Sequence, residues 1–198
     1  MKVLANRKFL PSLKSIDLKF SEHCIYGKQD RQKFKYGEHT SKGILNYIHF
    51  DLWGPSPKIS YGGSSYFVNF IDDYLRKVSI YLLKRIADVF DIFKQFRALV
   101  EKNTNMFIKC RRTDNGTQFT SKEFDNYCKD GIERHKTTVY TSQQNGVAKR
   151  MNKTLLERAR SMLSNAKLQQ ELWGESLLTA CYLVNRSPST AIDCKIPK

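Results

Sequence analysis

The sequence predicts an α/β domain on a mixed five-stranded sheet flanked by helices, and three observations carry that prediction. Strand-like runs crowd the stretch after Gly43, two long helical patterns fill the last third, and strands and helices alternate between them. That order makes the first three strands antiparallel neighbours and returns the later strands through helical crossovers.

"ILNYIHFDLW" alternates and is rich in large apolar residues, so it reads as a buried strand ended by "GPSP". "SSYFVNFIDDY" and "KVSIYLL" read as two more strands joined by a tight polar turn at residues 72–76. Ile86, Val89, Phe90, Phe93, Phe96, Leu99 and Val100 recur at helical spacing and predict one apolar face of a four-turn helix. "MFIKCRRTDNG" reads as a fourth strand with a glycine turn behind it. "SKEFDNYC" sets a serine before an acidic first turn, the start signal of a short helix, and "IERHKT" supplies a fifth strand. After "QQNG" a helix runs over residues 147–166. Another lies in "QELWGESLLTACYLVNRS" and stops before Pro188.

The 198 residues are 40% hydrophobic, enough for one core. Residues 1–41 stand apart, with nine Lys/Arg, four acids and a thin apolar pattern; they read as a basic arm, and residues 42–198 as the folded domain. Lys+Arg number 34 against 19 Asp+Glu, a net charge of +15, which favours a polyanionic partner, nucleic acid before an acidic membrane surface. No apolar run reaches the length of a membrane span and no signal-peptide core opens the chain, so an intracellular protein is expected. Five scattered cysteines without paired spacing predict buried thiols and no disulfides.

Two carboxylates sit where chemistry could use them. Asp51 closes the first strand in "HFDLWGP" and Asp114 closes the fourth in "RTDNG". If those strands are neighbours, both carboxylates emerge at one sheet edge, where oxygen ligands suit Mg2+ or Mn2+ and phosphoryl transfer. By position alone both are equally good turn formers, since Asp before Gly-Pro and Asp-Asn-Gly are turn sequences in their own right. Asp72 and Asp73 read as solvated residues of the hairpin turn. His49 and His135 read as ordinary polar contacts, Trp53 and Trp173 as packing residues with nucleobase stacking a second role.

"HFDLWGPSP", "YFVNFIDDYLRKV", "RTDNGTQFTSKEFDNYC", "QQNGVAKRMNKTLLERARSML" and "ACYLVNRSPS" together resemble the integrase region of plant copia-type retrotransposon Pol polyproteins, over roughly residues 20–198. The resemblance implies a ribonuclease-H-like fold and a D-D-E polynucleotidyl transferase that uses Mg2+ or Mn2+ to insert element DNA. It also implies work as a homo-oligomer, in the nucleus or a virus-like particle. Mapped onto this chain, the first two acids and metal ligands are Asp51 and Asp114. The third acid falls on Lys149, 35 positions beyond Asp114.

Other departures accompany that lysine. "DNGTQ" has Thr117 and Gln118 where the family carries a glutamate, and Ser142 stands where a proline is common. The family's upstream zinc module ends in a Cys-x-x-Cys pair; here Ser21 replaces the first cysteine and Cys24 is a remnant. A structural zinc takes four ligands, so no zinc site is expected. The resemblance thus implies a truncated and degenerate copy.

The helix after "QQNG" carries six Lys/Arg and one acid between residues 145 and 170. Lys149, Lys153 and Arg160 share a face, with Arg150 beside it, and Leu155, Leu156, Ala159 and Leu163 make the apolar side. The cations are either a solvated face or a phosphate-binding one. Exchanging a glutamate for Lys149 changes the local charge by two units against a dication, and the expected outcome is a Lys149 contact with Asp51 or Asp114. The leading expectation is a core that folds, binds DNA and does not catalyse. The alternatives are a residually active enzyme recruiting Glu157, and a co-opted DNA-binding or assembly module.

Overall fold

The computed structural model describes residues 41–113, 122–129, 131–136 and 145–197. The basic arm over residues 1–41 lies outside that range apart from Ser41, as do Cys24, Asp114, Thr117, Gln118, Ser142 and the side chain of His135. Five strands form one sheet: β1 (Ile48–Trp53), β2 (Tyr66–Asp72), β3 (Val78–Leu83), β4 (Cys110–Thr113) and β5 (Glu133–Lys136). The order is β3-β2-β1-β4-β5. β1 pairs antiparallel with β2 and β2 with β3, while β4 lies parallel to both β1 and β5. This is the mixed sheet expected from the element order.

Among the described residues four helices cover it: α1 (Val89–Thr104), α2 (Lys122–Lys129), α3 (Gly146–Ala166) and α4 (Trp173–Asn185). Strand alternation divides the core in two. Ile48, Phe50, Val68 and Phe70 face α1 and α2, where Phe93, Phe96, Phe124 and Cys128 meet them. Phe70 and Phe96 stack at 4.2 Å between ring centroids, and Phe50 and Phe93 at 5.6 Å. On the opposite face Phe67, Ile71, Val78 and Ile80 pack under α3 and α4, against Leu155, Ala159, Leu163, Trp173 and Leu177. Trp173 donates its indole N–H to Lys58 O at 2.8 Å and meets Trp53 edge-on at 5.8 Å. Cys110, Cys128, Cys181 and Cys194 are buried thiols that form no disulfide among the described residues.

Three readings need correction. On α1, Val89, Phe93 and Phe96 are buried, but Leu99 is 52% exposed and Ile86 belongs to a separate 3-10 turn. Each step of three residues falls short of a full 3.6-residue turn, so the run 93–96–99 rotates off the core. β4 begins only at Cys110; Met106 and Phe107 are exposed loop residues after Asn105, whose left-handed backbone ends α1. Asp72 and Asp73 are not solvated but buried, at 5% and 1% exposure. Asp72 Oδ1 accepts the N–H groups of Tyr74 and Leu75 (2.8 and 2.7 Å), and its Oδ2 accepts that of Leu45 at 2.7 Å. The hairpin turn folds inward because these amides need an acceptor.

Candidate active site

β1 is the central strand, and its alternation points His49 and Asp51 toward the α3 side while Ile48 and Phe50 face α1. Asp51 is buried and stands opposite Asn69 of β2. Asn69 Oδ1 accepts the Asp51 N–H at 3.1 Å, and its Nδ2 donates to Ala148 O at 3.3 Å and to Asn152 Oδ1. Asn152 Nδ2 in turn donates to Asp51 Oδ2 at 3.1 Å. Asn145, the residue before α3, turns its Nδ2 into the sheet, toward Phe50 O at 3.2 Å and Asp51 Oδ1 at 3.4 Å. Each carboxylate oxygen therefore meets the N–H end of a carboxamide, and the same three asparagines fasten the start of α3 to β1 and β2.

α3 buries Ala148, Asn152, Leu155, Ala159 and Leu163, a stripe at three- and four-residue intervals. Lys149, Arg150, Lys153 and Arg160 are all exposed on the outer side. The helix thus separates its functions by face: amides and apolar groups inward, cations outward. Lys149 follows Ala148 by one residue, a rotation of about 100° off the stripe. No hydrogen bond or ion pair joins it to Asp51, and Asp114, the other expected partner, lies outside the described residues. A long aliphatic stem with a hydrated ammonium gains more on the solvent side than in a pocket already filled by amides.

Two residues from Asp51 on the same strand lies a second buried polar group. His49 Nε2 donates to Asp73 Oδ1 at 2.9 Å, Arg76 Nη2 meets the same oxygen at 3.1 Å, and the Ser41 N–H reaches Oδ2 at 2.8 Å. Burial pushes the His49 pKa below its ordinary value, against the pull of Asp73, so the ring is neutral and donates through Nε2–H. Among the described residues its buried Nδ1 meets no donor, which an acceptor lone pair tolerates better than an N–H would. Burial also works to raise the Asp73 carboxyl, but His49, Arg76 and the Ser41 amide outweigh it and hold it below the usual carboxylate value. His49 is therefore a structural partner of Asp73 as well as a neighbour of the candidate site.

No protein-family model matches the chain. It is 44% identical over its whole length to the retrovirus-related Pol polyprotein from transposon TNT 1-94 of Nicotiana tabacum. It is 30% identical over 88% of its length to the corresponding polyprotein from transposon RE2 of Arabidopsis thaliana. The chain belongs with the retrotransposon Pol polyproteins. It spans 15% of the tobacco polyprotein and 12% of the Arabidopsis one. Among solved structures, the simian T-cell lymphotropic virus intasome in complex with a PP2A regulatory subunit aligns with a TM-score of 0.59, at 18% identity, over 79% of this chain and 54% of that one. The HTLV-2 integrase catalytic core domain, solved with magnesium in a trimeric form, aligns at 0.53 and 17% identity, over 72% of this chain and 86% of that one. This Pol segment therefore has the ribonuclease-H-like fold of an integrase core.

The residues described here do not fit a divalent cation. Among them, no three His, Cys, Asp or Glu side chains converge as a ligand set. Asp51 directs its oxygens at amide N–H groups, and the third position implied by the resemblance is Lys149, which is exposed on the outer side of α3. Carboxamide oxygens could ligate a cation, but Asn145 and Asn152 present nitrogen to Asp51. The sequence reading missed Asn69, Asn145 and Asn152 altogether. The signal was an asparagine in the middle of the apolar strand "YFVNFID" and another two turns into the apolar stripe of α3, where a leucine would ordinarily pack.

Proposed function

We propose that this Pol segment is an integrase-type core, residues 42–198 with a basic arm before it, that retains DNA binding and has lost strand transfer. The observation that carries the reading is the condition of Asp51. Its oxygens are engaged by Asn145 and Asn152, and Lys149 stands where the resemblance calls for a third acid. An acid set with Asp51 engaged by amides and a lysine at its third position is poorly suited to gather the Mg2+ or Mn2+ that the chemistry needs. Glu157 does not repair the set, because it lies eight positions beyond Lys149, about 12 Å along the helix.

DNA binding survives the loss because it depends on another face. Lys149, Arg150, Lys153 and Arg160 are exposed together along α3, and four phosphate contacts would give a salt-dependence slope of about −3.6 on duplex DNA. Such contacts position the duplex without reading its sequence. A homo-oligomer, and residence in the nucleus or a virus-like particle, follow from the same reading. No helix of the described residues is long and apolar enough to cross a membrane.

The test is a strand-transfer assay on a short donor duplex with Mn2+, comparing the unmodified chain with Lys149→Glu. The reading expects no product from the first and a detectable gain from the second. Robust, metal-dependent product from the unmodified chain would overturn it. Salt-dependent binding that ignores divalent metal in both proteins supports a binding module over a residual enzyme.

A further inference from the structure

We propose that the cavity between α3, the start of α4 and the β1–β2 loop receives an unpaired nucleobase from a single-stranded DNA segment whose phosphates follow α3. This rests on the DNA-binding reading above and assigns it a second, separate contact. The cavity measures about 490 Å³ and is walled by Trp53, Trp173, Leu156, Leu163 and Leu168, with Arg160 at its mouth. That volume lies in the range of small-ligand sites. Its walls are mostly apolar, and Lys58 and Arg160 are the cations lining it.

Charge and shape select the occupant. Lys149, Lys153 and Arg160 lie four and seven residues apart on one exposed face, so the stripe runs about 16 Å from the Asp51 end of α3 to the cavity mouth. A flexible strand held on that stripe by its phosphates brings a base to the opening, and an apolar slot between an indole and leucines suits a flat ring. Basic tracks beside aromatic platforms bind single strands in this way with little regard for sequence. An extended peptide finds less there: Lys58 O already accepts from Trp173 Nε1, and Glu171 is engaged by Lys58 at 3.6 Å. A paired base in a duplex is stacked and cannot enter.

The chain has two tryptophans, and both line the cavity, so its indole emission reports occupancy directly. The experiment titrates the full chain with an oligothymidylate, a blunt duplex of equal length and inorganic polyphosphate, following emission and, separately, binding. The expected result is that the single strand quenches emission by roughly half, while duplex and polyphosphate bind with little quenching. Ser164→Met, which narrows the cavity from an exposed position on α3, should weaken single-strand quenching about fivefold and leave duplex affinity within about twofold. Leu168→Asn, at an exposed lining position just beyond α3, should act the same way, and circular dichroism checks that both variants fold. Equal quenching by all three polyanions, or quenching indifferent to both substitutions, overturns the proposal. If duplex and polyphosphate bind but the single strand leaves emission unchanged, the cavity proposal alone falls. If nothing binds at low salt, the DNA-binding reading falls and takes the proposal with it.

Discussion

Asp51 on β1 and Asp73 beside it are two buried carboxylates, and their oxygens are met by different kinds of donor. Asp73 has a cation, Arg76, and the Nε2–H of His49 on one oxygen and a backbone amide on the other. Asp51 has the amide dipoles of Asn145 and Asn152. The first arrangement cancels a charge locally and serves the fold, tying the β2–β3 turn to the strand. The second ties a carboxylate to neutral donors from the start of a basic helix.

The comparison can be broken at several points. Asp73→Ala leaves Arg76 and His49 around an empty site, and the loss of one member of a buried ion pair should lower unfolding stability by about 3–5 kcal/mol in chemical denaturation. A cost near zero would mean that the cluster is ornamental. Asn152→Leu removes one donor from Asp51 and one acceptor from Asn69, and should cost about 2 kcal/mol even though leucine suits the rest of the stripe. In a double-mutant cycle with Asp51→Asn, the two changes should couple by about 1 kcal/mol; additive costs would show that the amide does not serve the carboxylate.

The pH dependence separates the two sites further. His49 has a folded pKa below its ordinary value of about 6.5. A depressed pKa means that the unfolded chain takes up the proton first, so stability is intact above about pH 6.5 and falls as the pH drops below it. The slope from this one group is at most about 1.4 kcal/mol per pH unit, and His49→Gln should remove it from thermal melts below about pH 6.5. A melting profile unchanged by that substitution would contradict the neutral, Nε2-protonated ring.

The strands and helices were legible because burial imposes a period on the chain: alternation in β2, three- and four-residue spacing in α1 and α3. Leu99 and Phe107 were misread because hydrophobicity marks candidates for the core and not the rotation that admits them. The Asp72–Asp73 pair was misread for a different reason. Two acids in a hairpin turn look solvated, and nothing local reveals that Leu45, Ser41 and His49 come from elsewhere to meet them. Asp51 was legible as a strand-end acid, and Lys149 through the resemblance. The asparagines were passed over because the α3 stripe was read from its aliphatic residues, and Asn152 interrupts it. Arg111 was not anticipated either: it is 1% exposed on β4, lies over the Phe124 ring at 4.3 Å and shares Asp125 with Arg134.

The central claim is that Asp51 is committed to amides and that Lys149 keeps a divalent ion away. The most direct measurement is Mn2+ binding followed by electron paramagnetic resonance on the full chain, alongside Lys149→Glu and Asp51→Asn. The account predicts no specific binding by the unmodified chain at millimolar metal and measurable binding by Lys149→Glu that Asp51→Asn abolishes in that background. Tight Mn2+ binding by the unmodified chain, lost on Asp51→Asn alone, would contradict it.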